Sequence, residues 1–598
     1  QVKFYVDGVE GGDYTSAGGL DSILANNLDV IIGDKSNIGN PFNGNIDDVL
    51  VFNRSLTANQ ILAIYNNKTD LIVNQETSVD DVWSATITPN DGTEDGTTVT
   101  SNNVTIVAAN TAPSVTTPTI TPTTAYTNDT LTTNTTYTDA DSDAGTVYFL
   151  WYRNGTNIYN QTNASVATGT EVIATLDSAN FSKDDLINVS VYANDGTVDS
   201  STVWSTVTTI QNLQPEISNT VLNATNVNNN TNQNLTLSWT STDTDNDNVK
   251  NITNWYLNGT SITVLNMPFE KNATGTNTKD YSSFGYDGSN NGSTWNATGG
   301  YDGKGAYEFD GNDNFITLVG TPSLETILEN KDGNGWTYTG WINENSGGTG
   351  YFFEARGSTN LDEIRFIISS TQITLTYDDD SEGDVSCSIG GDYTGAWHHI
   401  GVIINSTNLD CYLDGTLANS SDISTKGNLL LDVDPVIGER TLSGGHYSAG
   451  HANYFEGNMD DISIWNKTLS AEQILALYHN RTDLLVSQET SVGNNWSSCI
   501  TPNDGTEDGS EVCSNGLSVL VPNNVPTATP VNITSSDSLN RTNGTLTGAF
   551  TYADTDSDPQ SANETKWYNN SVEITSLANL TSVSSGNTTK NQNWTFGV

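Results

Sequence analysis

The stretch Gly44–Gly96 begins GNIDDVLVFNRSLTANQILAIYNNKTD and ends ITPNDGTEDG. It recurs without a gap at Gly457–Gly509, which begins GNMDDISIWNKTLSAEQILALYHNRTD and has the same ending. Repetition over such a distance defines the architecture first, because a unit this long holds several domains rather than one turn of a solenoid. The sequence therefore indicates a tandem array of which the chain holds about one and a half repeats.

The repeated stretch combines a strand pattern with a helix pattern. Ile46, Val49 and Val51 predict a strand, and Thr57 and Gln60 match the capping box that begins a helix. The apolar residues that follow predict one buried helix face over about two turns. The counterparts of these residues in the second copy are Met459, Ile462, Ile464, Ser470 and Gln473. A short helix after a strand is a distinctive signature in a sequence that otherwise has the character of β-structure.

Charge and hydropathy exclude several classes of partner. The chain has 598 residues, with 20 Lys and Arg against 71 Asp and Glu, and a formal net charge of −51. Such a charge repels nucleic acid and anionic membranes. We therefore expect no nucleic-acid partner. No run of 18 apolar residues and no signal peptide are present, so no membrane span is expected in this window.

Many Asn-x-Ser/Thr sequons suit a glycosylated extracellular protein, although an Asn- and Thr-rich chain also produces such triplets by chance. The candidate glycosylation sites are Asn128, Asn154, Asn188, Asn251, Asn296, Asn419, Asn480 and Asn593.

The four cysteines predict disulfides and hence an oxidising compartment. Cys499 and Cys513 flank the NDGTEDG turn, and Thr86 and Thr100 replace both of them in the other copy. Because both members change together, we expect Cys499 and Cys513 to be cross-strand partners. Cys387 and Cys411 form the second candidate pair.

A β-sandwich of the immunoglobulin-like kind is predicted between residues 111 and 211. Short alternating runs punctuated by Pro, Gly and Asn-Asp support this class, among them Trp151–Thr156 (WYRNGT) and Val189–Gly196 (VSVYANDG). The same order of motifs restarts after Gln214, stops after Trp255–Thr260 (WYLNGT), and resumes at Trp496. We therefore expect a second sandwich that is split by an inserted domain at an exposed turn, where few backbone contacts are lost.

The insert resembles the LamG-like, concanavalin A-like jelly-roll domains. The matching pieces, in order, are Gly299–Gly311 (GGYDGKGAYEFDG), Trp336–Trp341 (WTYTGW), Tyr412–Gly415 (YLDG) and the closing strand and helix at Gly457–Tyr478. The sandwiches more loosely resemble PKD/cadherin-type repeats, and the combination resembles large archaeal or bacterial surface proteins. The resemblance implies an all-β chain of tandem immunoglobulin-like sandwiches, with a LamG-like jelly roll inserted into every second one.

This organisation divides the chain into six segments. They are 1–68, the C-terminal part of a jelly roll; 69–110, the second half of a split sandwich; 111–211, a complete sandwich; 212–263 plus 484–523, a split sandwich; 264–483, the inserted jelly roll; and 524–598, an incomplete sandwich.

Catalysis is one alternative, since the jelly-roll scaffold also carries glucanases. The resemblance would then require closely spaced carboxylates on one strand, acting as nucleophile and acid, and no Glu-x-Asp-x-x-Glu arrangement is present. The adjacent pairs Asp362-Glu363 and Asp460-Asp461 point to opposite faces of a strand. We therefore expect a protein that is not an enzyme and has no organic cofactor.

Glycan binding is a second alternative, in which aromatic side chains of the jelly roll form a sugar platform. Aromatic residues in an all-β domain more often belong to the core or to cross-strand pairs. The candidate contacts are Trp341, Tyr351, Tyr377 and Tyr447.

Calcium binding is predicted where Asp-x-Asp-x-Asp loops precede Trp-Tyr strands and Asn-Asp-Gly turns close the later strands. If the two loops lie at the same end of a sandwich, several hard oxygen ligands converge, as Ca²⁺ prefers. The alternative is Asx-turn chemistry, in which Asp and Asn bond their own backbone. The candidate ligands are Asp139, Asp141, Asp143, Asp195, Asp243, Asp245, Asp247, Asp504, Asp554, Asp556 and Asp558.

The expected function is structural. Both ends of the sequence fall inside predicted domains, so we expect a segment of a much longer secreted, cell-surface filament or stalk that contacts neighbouring copies of itself and mediates adhesion. The alternative is a glycan-binding adhesin whose LamG-like domains recognise carbohydrate.

Overall fold

The computed structural model describes residues 2–14, 29–34, 41–225, 229–270, 277–319, 324–345, 347–358, 362–379, 383–440 and 453–598. Within these ranges the protein is all-β, with three short α-helices and a few 3₁₀ turns. None of these helices has the length and apolar character needed to cross a membrane.

The described residues of the segment 1–110 hold short elements only. They are β1 (Val2–Val6), β2 (Val9–Tyr14), α1 (Ala58–Tyr65), β3 (Val82–Trp83), β4 (Thr86–Ile87), β5 (Val99–Thr100) and β6 (Val104–Thr105). β1 pairs with β2, β3 with β6, and β4 with β5. A 3₁₀ helix at Asn74–Glu76 follows α1.

The segment 111–211 is a two-sheet sandwich. Its strands are β7 (Ser114–Val115), β8 (Thr119–Thr121), β9 (Ala125–Tyr126), β10 (Leu131–Thr138), β11 (Gly145–Arg153), β12 (Thr156–Val166), β13 (Thr170–Leu176), β14 (Leu186–Asn194), β15 (Val203–Trp204) and β16 (Thr208–Gln211), with a 3₁₀ helix at Ser178–Asn180. One sheet has the order β13-β10-β7 and the other β12-β11-β14-β16-β9. Val147, Phe149 and Trp151 alternate inward from β11 into one closed core, as the period-2 pattern predicts. We call this segment the intact sandwich.

The next sandwich begins with β17 (Glu216–Ala224), β18 (Leu235–Thr242), β19 (Lys250–Leu257) and β20 (Thr260–Ser261). Asn258 and Gly259 connect β19 to β20 with φ of 53° and 84°, the left-handed pair that a tight hairpin turn requires. The equivalent hairpin of the intact sandwich continues into the long strand β12, whereas β20 ends at Ser261 and the chain enters the insert.

The insert is built from many strands and one further helix. They are β21 (Thr263–Met267), β22 (Asn277–Thr278), β23 (Gly288–Asn291), β24 (Thr294–Asn296), β25 (Ala306–Asp310), β26 (Phe315–Leu318), α2 (Leu324–Leu328), β27 (Trp336–Glu344), β28 (Gly350–Arg356), β29 (Glu363–Ser369), β30 (Gln372–Asp378), β31 (Val385–Gly390), β32 (His398–Ile404), β33 (Asn408–Leu413), β34 (Thr416–Asp422), β35 (Val433–Ile437) and β36 (Glu456–Trp465).

Two 8-stranded sheets face each other in the insert. One has the order β24-β25-β36-β27-β32-β33-β34 with β21 beside β36, and the other has the order β22-β23-β26-β35-β28-β29-β30-β31. A continuous apolar core fills the space between them, including the fully buried Trp336 and Tyr338. The architecture is a concanavalin-like β-sandwich.

The split sandwich resumes after the insert. After the closing helix α3 (Ala471–Tyr478), its remaining elements are β37 (Leu484–Leu485), a 3₁₀ helix at Ser487–Glu489, β38 (Asn495–Asn503), β39 (Val512–Cys513) and β40 (Leu517–Ser518). β19 pairs with β38 from Lys250–Asn503 to Leu257–Trp496, and β18 pairs with β37. Both sheets therefore join residues from either side of the insert.

Residues 524–598 form two smaller sheets, ordered β41-β42-β45 and β44-β43-β46. The strands are β41 (Thr527–Ser535), β42 (Leu546–Ala553), β43 (Lys566–Asn569), β44 (Val572–Glu573), β45 (Ser582–Val583) and β46 (Trp594–Gly597), with 3₁₀ helices at Thr575–Leu577 and Ser585–Asn587.

The predicted strand through Ile46, Val49 and Val51 is wrong for the first copy, because residues 41–57 contain no strand. The same sequence in the second copy forms β36, which lies between β25 and β27. Among the described residues of 1–68 the strands are β1 and β2, which pair with each other, so within the described part residues 41–57 have no neighbouring strand whose ladder their backbone groups could join.

Both copies begin their helix as the sequence predicts. The hydroxyls of Thr57 and Ser470 accept the N–H of Gln60 and Gln473 at 3.3 and 3.2 Å. The second half of the capping box is different, since the glutamine does not return the bond. Instead the carboxylates of Glu76 and Glu489 accept the N–H of Thr57 and Ser470, and each glutamine ties its helix to the following segment.

Candidate functional site

Each of the three sandwiches from residue 111 onward carries an acidic loop after its first long central strand. In the intact sandwich, Oδ1 of Asp139 accepts the N–H of Asp141 at 2.9 Å and of Asp143 at 3.0 Å. Asp243 and Asp554 make the same two bonds in the other sandwiches. This is Asx-turn geometry, so one oxygen of each leading aspartate is committed to the backbone.

The remaining oxygens of these loops are less well satisfied. Asp139 Oδ2, Asp243 Oδ2 and Asp245 Oδ1 are buried and have no hydrogen-bond partner within the described ranges. Asp139 is only 7% exposed, and burial raises the pKa of Asp243 above its ordinary value. A buried carboxylate oxygen without a donor or cation is unfavourable, so these atoms mark positions where a cation would stabilise the loop.

The Asn-Asp-Gly turn lies against the acidic loop in the split sandwich. Asp243, Asp247 and Asp504 each present a carboxylate oxygen, and the three oxygens lie within 4.8 Å of one another. Oδ1 of Asp504 accepts the N–H of Thr506 and of Glu507, both at 2.7 Å. The two loops therefore lie at the same end of this sandwich.

Linker residues bind both loops of the following sandwich at two successive junctions. Asn110 Nδ2 donates to Asp195 Oδ2 at 2.9 Å, and the N–H of Thr111 donates to Asp141 Oδ2. The equivalent pairs at the next junction are Asn212 with Asp504 at 2.7 Å and Leu213 with Asp245 at 2.8 Å. The same contacts therefore fix the linker to the following sandwich twice. We call these two contact sets the joints.

Two further contacts extend this pattern. Lys183 of the intact sandwich forms an ion pair with Asp247 of the split sandwich. Burial alone would lower the pKa of Lys183, but its hydrogen bond to Asp247 raises it. Before the last sandwich, the N–H of Asn524 donates to Asp556, which is the position that Asp141 and Asp245 occupy.

The four aromatic residues predicted to contact glycan have different environments. Trp341 is 8% exposed and stacks between Tyr301 and Tyr478, with ring centroids at 4.1 and 5.6 Å. Tyr351 is buried, with the Arg440 guanidinium 5.5 Å from its ring centroid.

Tyr377 is fully buried, and its hydroxyl donates to Gly427 O at 2.7 Å. It is therefore a core residue, contrary to the prediction. Tyr447 lies outside the described residues.

The predicted glycosylation sites are mostly accessible. Exposed side chains are Asn128, Asn154, Asn296, Asn419, Asn480 and Asn593. Asn188 and Asn251 are half-buried. Asn154 is already engaged, since its Oδ1 accepts the N–H of Leu186 and its Nδ2 donates to Asp185.

The structure contains two disulfides. Cys499 and Cys513 are bonded across β38 and β39. Thr86 and Thr100 occupy the same paired register on β4 and β5 in the first copy. The second bond joins Cys387 on β31 to Cys411 on β33 and so connects the two sheets of the insert.

A buried ion cluster joins the split sandwich to the insert. Lys250, on β19, has its Nζ 2.7 Å from Asp302, 3.1 Å from Asp461 and 3.3 Å from Glu270, and all three acids belong to the insert. Asp460 is fully buried, and one carboxylate oxygen from each of Asp460, Asp461 and Glu270 lies within 4.8 Å of the others. The prediction that the adjacent pair Asp460-Asp461 points to opposite faces of a strand is therefore wrong, because Asp461 has a φ of 47°, which interrupts the alternation of β36. We call these five residues the junction cluster.

Burial and charge shift the protonation of this cluster. Burial raises the pKa of Glu270 to about 7, although Lys250 opposes the shift. Burial, helped by Asp461, raises the pKa of Asp460 well above its ordinary value. Burial alone would lower the pKa of Lys250, but Asp461 and Asp460 raise it well above that of a free lysine. The cation therefore remains charged and holds the insert by several hydrogen-bonded ion pairs.

A cleft with a volume of 470 Å³ opens beside the junction cluster, between the split sandwich and the insert. Its walls include Trp239, Asn251 and Thr253 from the sandwich, and Tyr301, Trp341, His399 and Asp461 from the insert. Trp239 and Lys250 were not among the predicted site residues. The signal was available, because the intact sandwich has Thr135 and Thr146 at the same distances from its leading aspartate.

Comparison with known families supports the jelly-roll resemblance. Residues 1–62 and 310–475 match the model of the Concanavalin A-like lectin/glucanases superfamily. Both segments lie in the parts of the chain that the sequence assigned to jelly rolls. No curated protein matches the chain.

Solved structures that match part of the chain include a receptor-binding domain of botulinum neurotoxin, C/D mosaic serotype. It has 16% identity and a TM-score of 0.30, and the match covers 37% of this chain and 51% of that one. Another is domain 4 of AbnA, a GH43 extracellular arabinanase from Geobacillus stearothermophilus, in complex with arabinotriose. It has 15% identity and a TM-score of 0.27, and the match covers 36% of this chain and 98% of that one. The chain thus spans about half of the toxin domain, and similarity at this level does not establish a shared function.

Proposed function

We propose that the chain is a segment of a non-enzymatic, extracellular surface protein in which immunoglobulin-like sandwiches form a stiff axis and a LamG-like jelly roll is carried as an insert. Neighbouring copies or other surfaces are its partners in this role. The two disulfides fit an oxidising, extracellular compartment.

The observation that carries the proposal is the repetition of the joint. An asparagine side chain and the next backbone N–H bind the same two loops at successive junctions, between Asn110 and Asp195 and again between Asn212 and Asp504. A flexible linker would leave these polar groups to solvent. Fixing them against the following sandwich restricts bending, which is what a stalk or filament requires.

Calcium is the cation that fits these joints best. The ligand atoms are carboxylate oxygens, which hard divalent cations prefer. A bound cation would also stabilise the buried oxygens of Asp139 and Asp243, which have no hydrogen-bond partner among the described residues. The carboxylate oxygens that lie close together belong to Asp139, Asp141 and Asp143; to Asp243, Asp247 and Asp504; and to Asp554, Asp556 and Asp558. The proposal adds Asp195 to the first set and Asp245 to the second, because each occupies the position that Asp504 and Asp141 respectively hold in the other sandwich.

Chelation tests the calcium joint. We expect EDTA to lower the melting temperature of the full chain by several degrees and to increase hydrogen exchange at residues 139–143 and 243–247. Asp243→Asn should lose most of the calcium response at its own loop, whereas Glu216→Gln, at an exposed acid of the same sandwich, should not. A melting curve and an exchange pattern unchanged by EDTA would leave Asx turns as the explanation of the loops.

The absence of enzymatic activity is also part of the proposal. Asp302 and Asp461 face the cleft, but both are ion-paired with Lys250. A nucleophile and a proton donor in a glycosidase need different protonation states and access to the sugar. Prolonged incubation with oligosaccharides should release no reducing ends.

Carbohydrate binding by the jelly roll is a second component, favoured by the match to the lectin/glucanase superfamily. A glycan array probed with the full chain in calcium tests it. Binding that saturates supports an adhesive stalk, and no binding to any glycan leaves the structural role alone.

A further inference from the structure

The equivalent strands β11 and β19 differ in the side chains that they direct to the interior. Val147 of β11 pairs with Ala193, and Asn251 of β19 pairs with Pro502. Each partner directly precedes the asparagine of its Asn-Asp-Gly turn. The two positions are therefore structurally equivalent in the intact and the split sandwich.

Core residues are replaced by polar ones at these positions. Val147 and Phe149 are fully buried in the core of the intact sandwich. Their equivalents in the split sandwich are Asn251 and Thr253, which line the cleft. A sandwich that gives up apolar core at one end loses stability, and such local departures from good packing concentrate at functional sites.

Two residues that line the cleft each hold a buried polar atom without a partner in the described part of the chain. Asn251 Oδ1 comes from the sandwich and His399 Nδ1 from the insert, and neither has a hydrogen-bond partner within the described residues. His399 is 2% exposed, and burial lowers its pKa to about 4. The imidazole is therefore neutral near pH 7, and its ring nitrogen can donate a hydrogen bond to a hydroxyl group or accept one from it, depending on the tautomer.

Cations and carboxylates offset one another beside the cleft. Lys250 is shared among Asp302, Asp461 and Glu270. Lys304, which also lines the cleft, donates to Val249 O at 2.6 Å. Burial, helped by Lys250, lowers the pKa of Lys304, and the same three acids lie close enough to oppose that shift. A neutral ligand with hydroxyl groups suits this lining better than a phosphate, an amine or an acidic peptide.

The cleft also offers an aromatic surface. Trp341 is buried and already stacks with Tyr301 and Tyr478. Trp239 is half-buried and has no ring stacked on it among the described aromatic side chains. The volume of 470 Å³ lies in the range of small-ligand pockets.

We propose that the cleft between the split sandwich and the insert binds a neutral oligosaccharide, which packs on Trp239 and hydrogen-bonds to Asn251 and His399. The proposal rests on the carbohydrate-binding component of the proposed function and places it at the domain junction rather than on the jelly roll alone. Binding there engages both domains at once.

The oligosaccharide can come from one of two sources. It belongs either to another molecule or to the chain itself, because Asn251 and Asn480 both line the cleft and both begin sequons. The first copy provides a control, since Asn67 begins the sequon that corresponds to Asn480.

Binding is tested with the full chain made in a host that does not glycosylate. An array of neutral oligosaccharides of glucose, galactose, mannose and N-acetylglucosamine, with sialylated glycans for comparison, identifies the ligand, and calorimetry measures its affinity. We expect neutral glycans to bind, and Trp239→Thr and Asn251→Val to weaken binding at least tenfold. Trp204→Thr, at an exposed tryptophan of the intact sandwich, should bind like the wild type.

The outcomes separate the two proposals. If neutral glycans bind the wild type and both cleft variants equally, the cleft is the wrong site and the carbohydrate-binding component stands. If the wild type binds no glycan, that component fails and the cleft proposal fails with it. Hydrogen exchange at β19 and β38 shows whether each variant is folded. If Asn251→Val does not fold, the affinity of Trp239→Thr alone decides whether the cleft is the binding site.

A second preparation, from a glycosylating host, identifies the source. If the chain's own glycan fills the cleft, the glycosylated protein should not bind free oligosaccharide, and Thr482→Ala, which removes the Asn480 sequon, should restore binding. Thr69→Ala, which removes the Asn67 sequon, should have no effect. Undiminished binding by the glycosylated wild type would assign the cleft to glycans of another molecule.

Discussion

The intact and the split sandwich are built on the same plan, and they differ in how each closes its core. The intact sandwich fills its own interior with residues of its two sheets. The core of the split sandwich also contains Ile403, Tyr412, Trp465 and Ile474, all of which lie within or directly after the sheets of the insert. The insert is therefore part of the fold of its host. A long insertion at a hairpin becomes stable when the inserted domain supplies core to the sandwich that carries it.

The way the chain enters and leaves the insert supports this view. β21, the first strand of the insert, pairs with β36, its last, from Thr263–Trp465 to Met267–Ile462. The two crossing points are thus adjacent. The split sandwich therefore accommodates the insert at a single point along its chain. Lys250 fixes the orientation of the insert through its ion pairs with three acids of the insert.

The largest expected effect concerns that lysine. Lys250→Met leaves buried acids without their cation, and breaking a buried ion network in this way costs about 3–5 kcal/mol. Thr146→Val at the equivalent strand position of the intact sandwich should change stability by less than about 0.5 kcal/mol. Native-state hydrogen exchange of β19 and β36 measures the first effect and exchange of β11 the second. Equal exchange in β36 with and without Lys250 would show that the junction cluster does not hold the insert.

The next effect concerns the disulfide that distinguishes the two copies of the repeat. Cys499→Thr with Cys513→Thr reproduces the Thr86 and Thr100 pair of the first copy. The bond closes a loop with a sequence separation of 14, so its loss should cost about 3 kcal/mol through the entropy of the unfolded chain. Denaturant unfolding followed at β38 measures it. A double variant as stable as the wild type would mean that the cross-strand contacts of β38 and β39 suffice.

A pH-dependent effect follows from Glu270. Its folded pKa is raised to about 7, so the folded state binds the proton more tightly than the unfolded chain, and this contribution to stability is lost as pH rises from about 4.5 to 7. Glu270→Gln removes the loss. The stability of the variant relative to the wild type should increase over this range by at most about 3 kcal/mol. Exchange of β36 at pH 4.5, 6 and 7.5 measures the difference, and a constant difference would contradict the burial of an uncharged Glu270.

The comparison also shows what the sequence could predict. The helix starts at Thr57 and Ser470 were predictable because a cap is a local interaction. The Trp-Tyr strands were predictable because their periodicity is local. The burial of Tyr377 was not, since its neighbours come from distant strands. Asn251 was noted only as a sequon, because its significance depends on the register of β19 against β38 across the whole insert.

The smallest expected effect comes from replacing a polar cleft residue by the apolar core residue of the intact sandwich. Asn251→Val, in protein made without glycosylation, places in the split sandwich the side chain that Val147 contributes to the intact one. It removes a buried carbonyl oxygen that lacks a partner, and such a replacement is neutral or stabilising by up to about 1 kcal/mol. The opposite change, Val147→Asn, should destabilise the intact sandwich, because it buries an amide where Val147 is fully enclosed. Exchange at β19 and β11 measures both. If Asn251→Val instead destabilises the split sandwich by more than about 1 kcal/mol, Asn251 stabilises the fold itself. The polar lining of the cleft would then have a structural role, and ligand binding would not be needed to explain it.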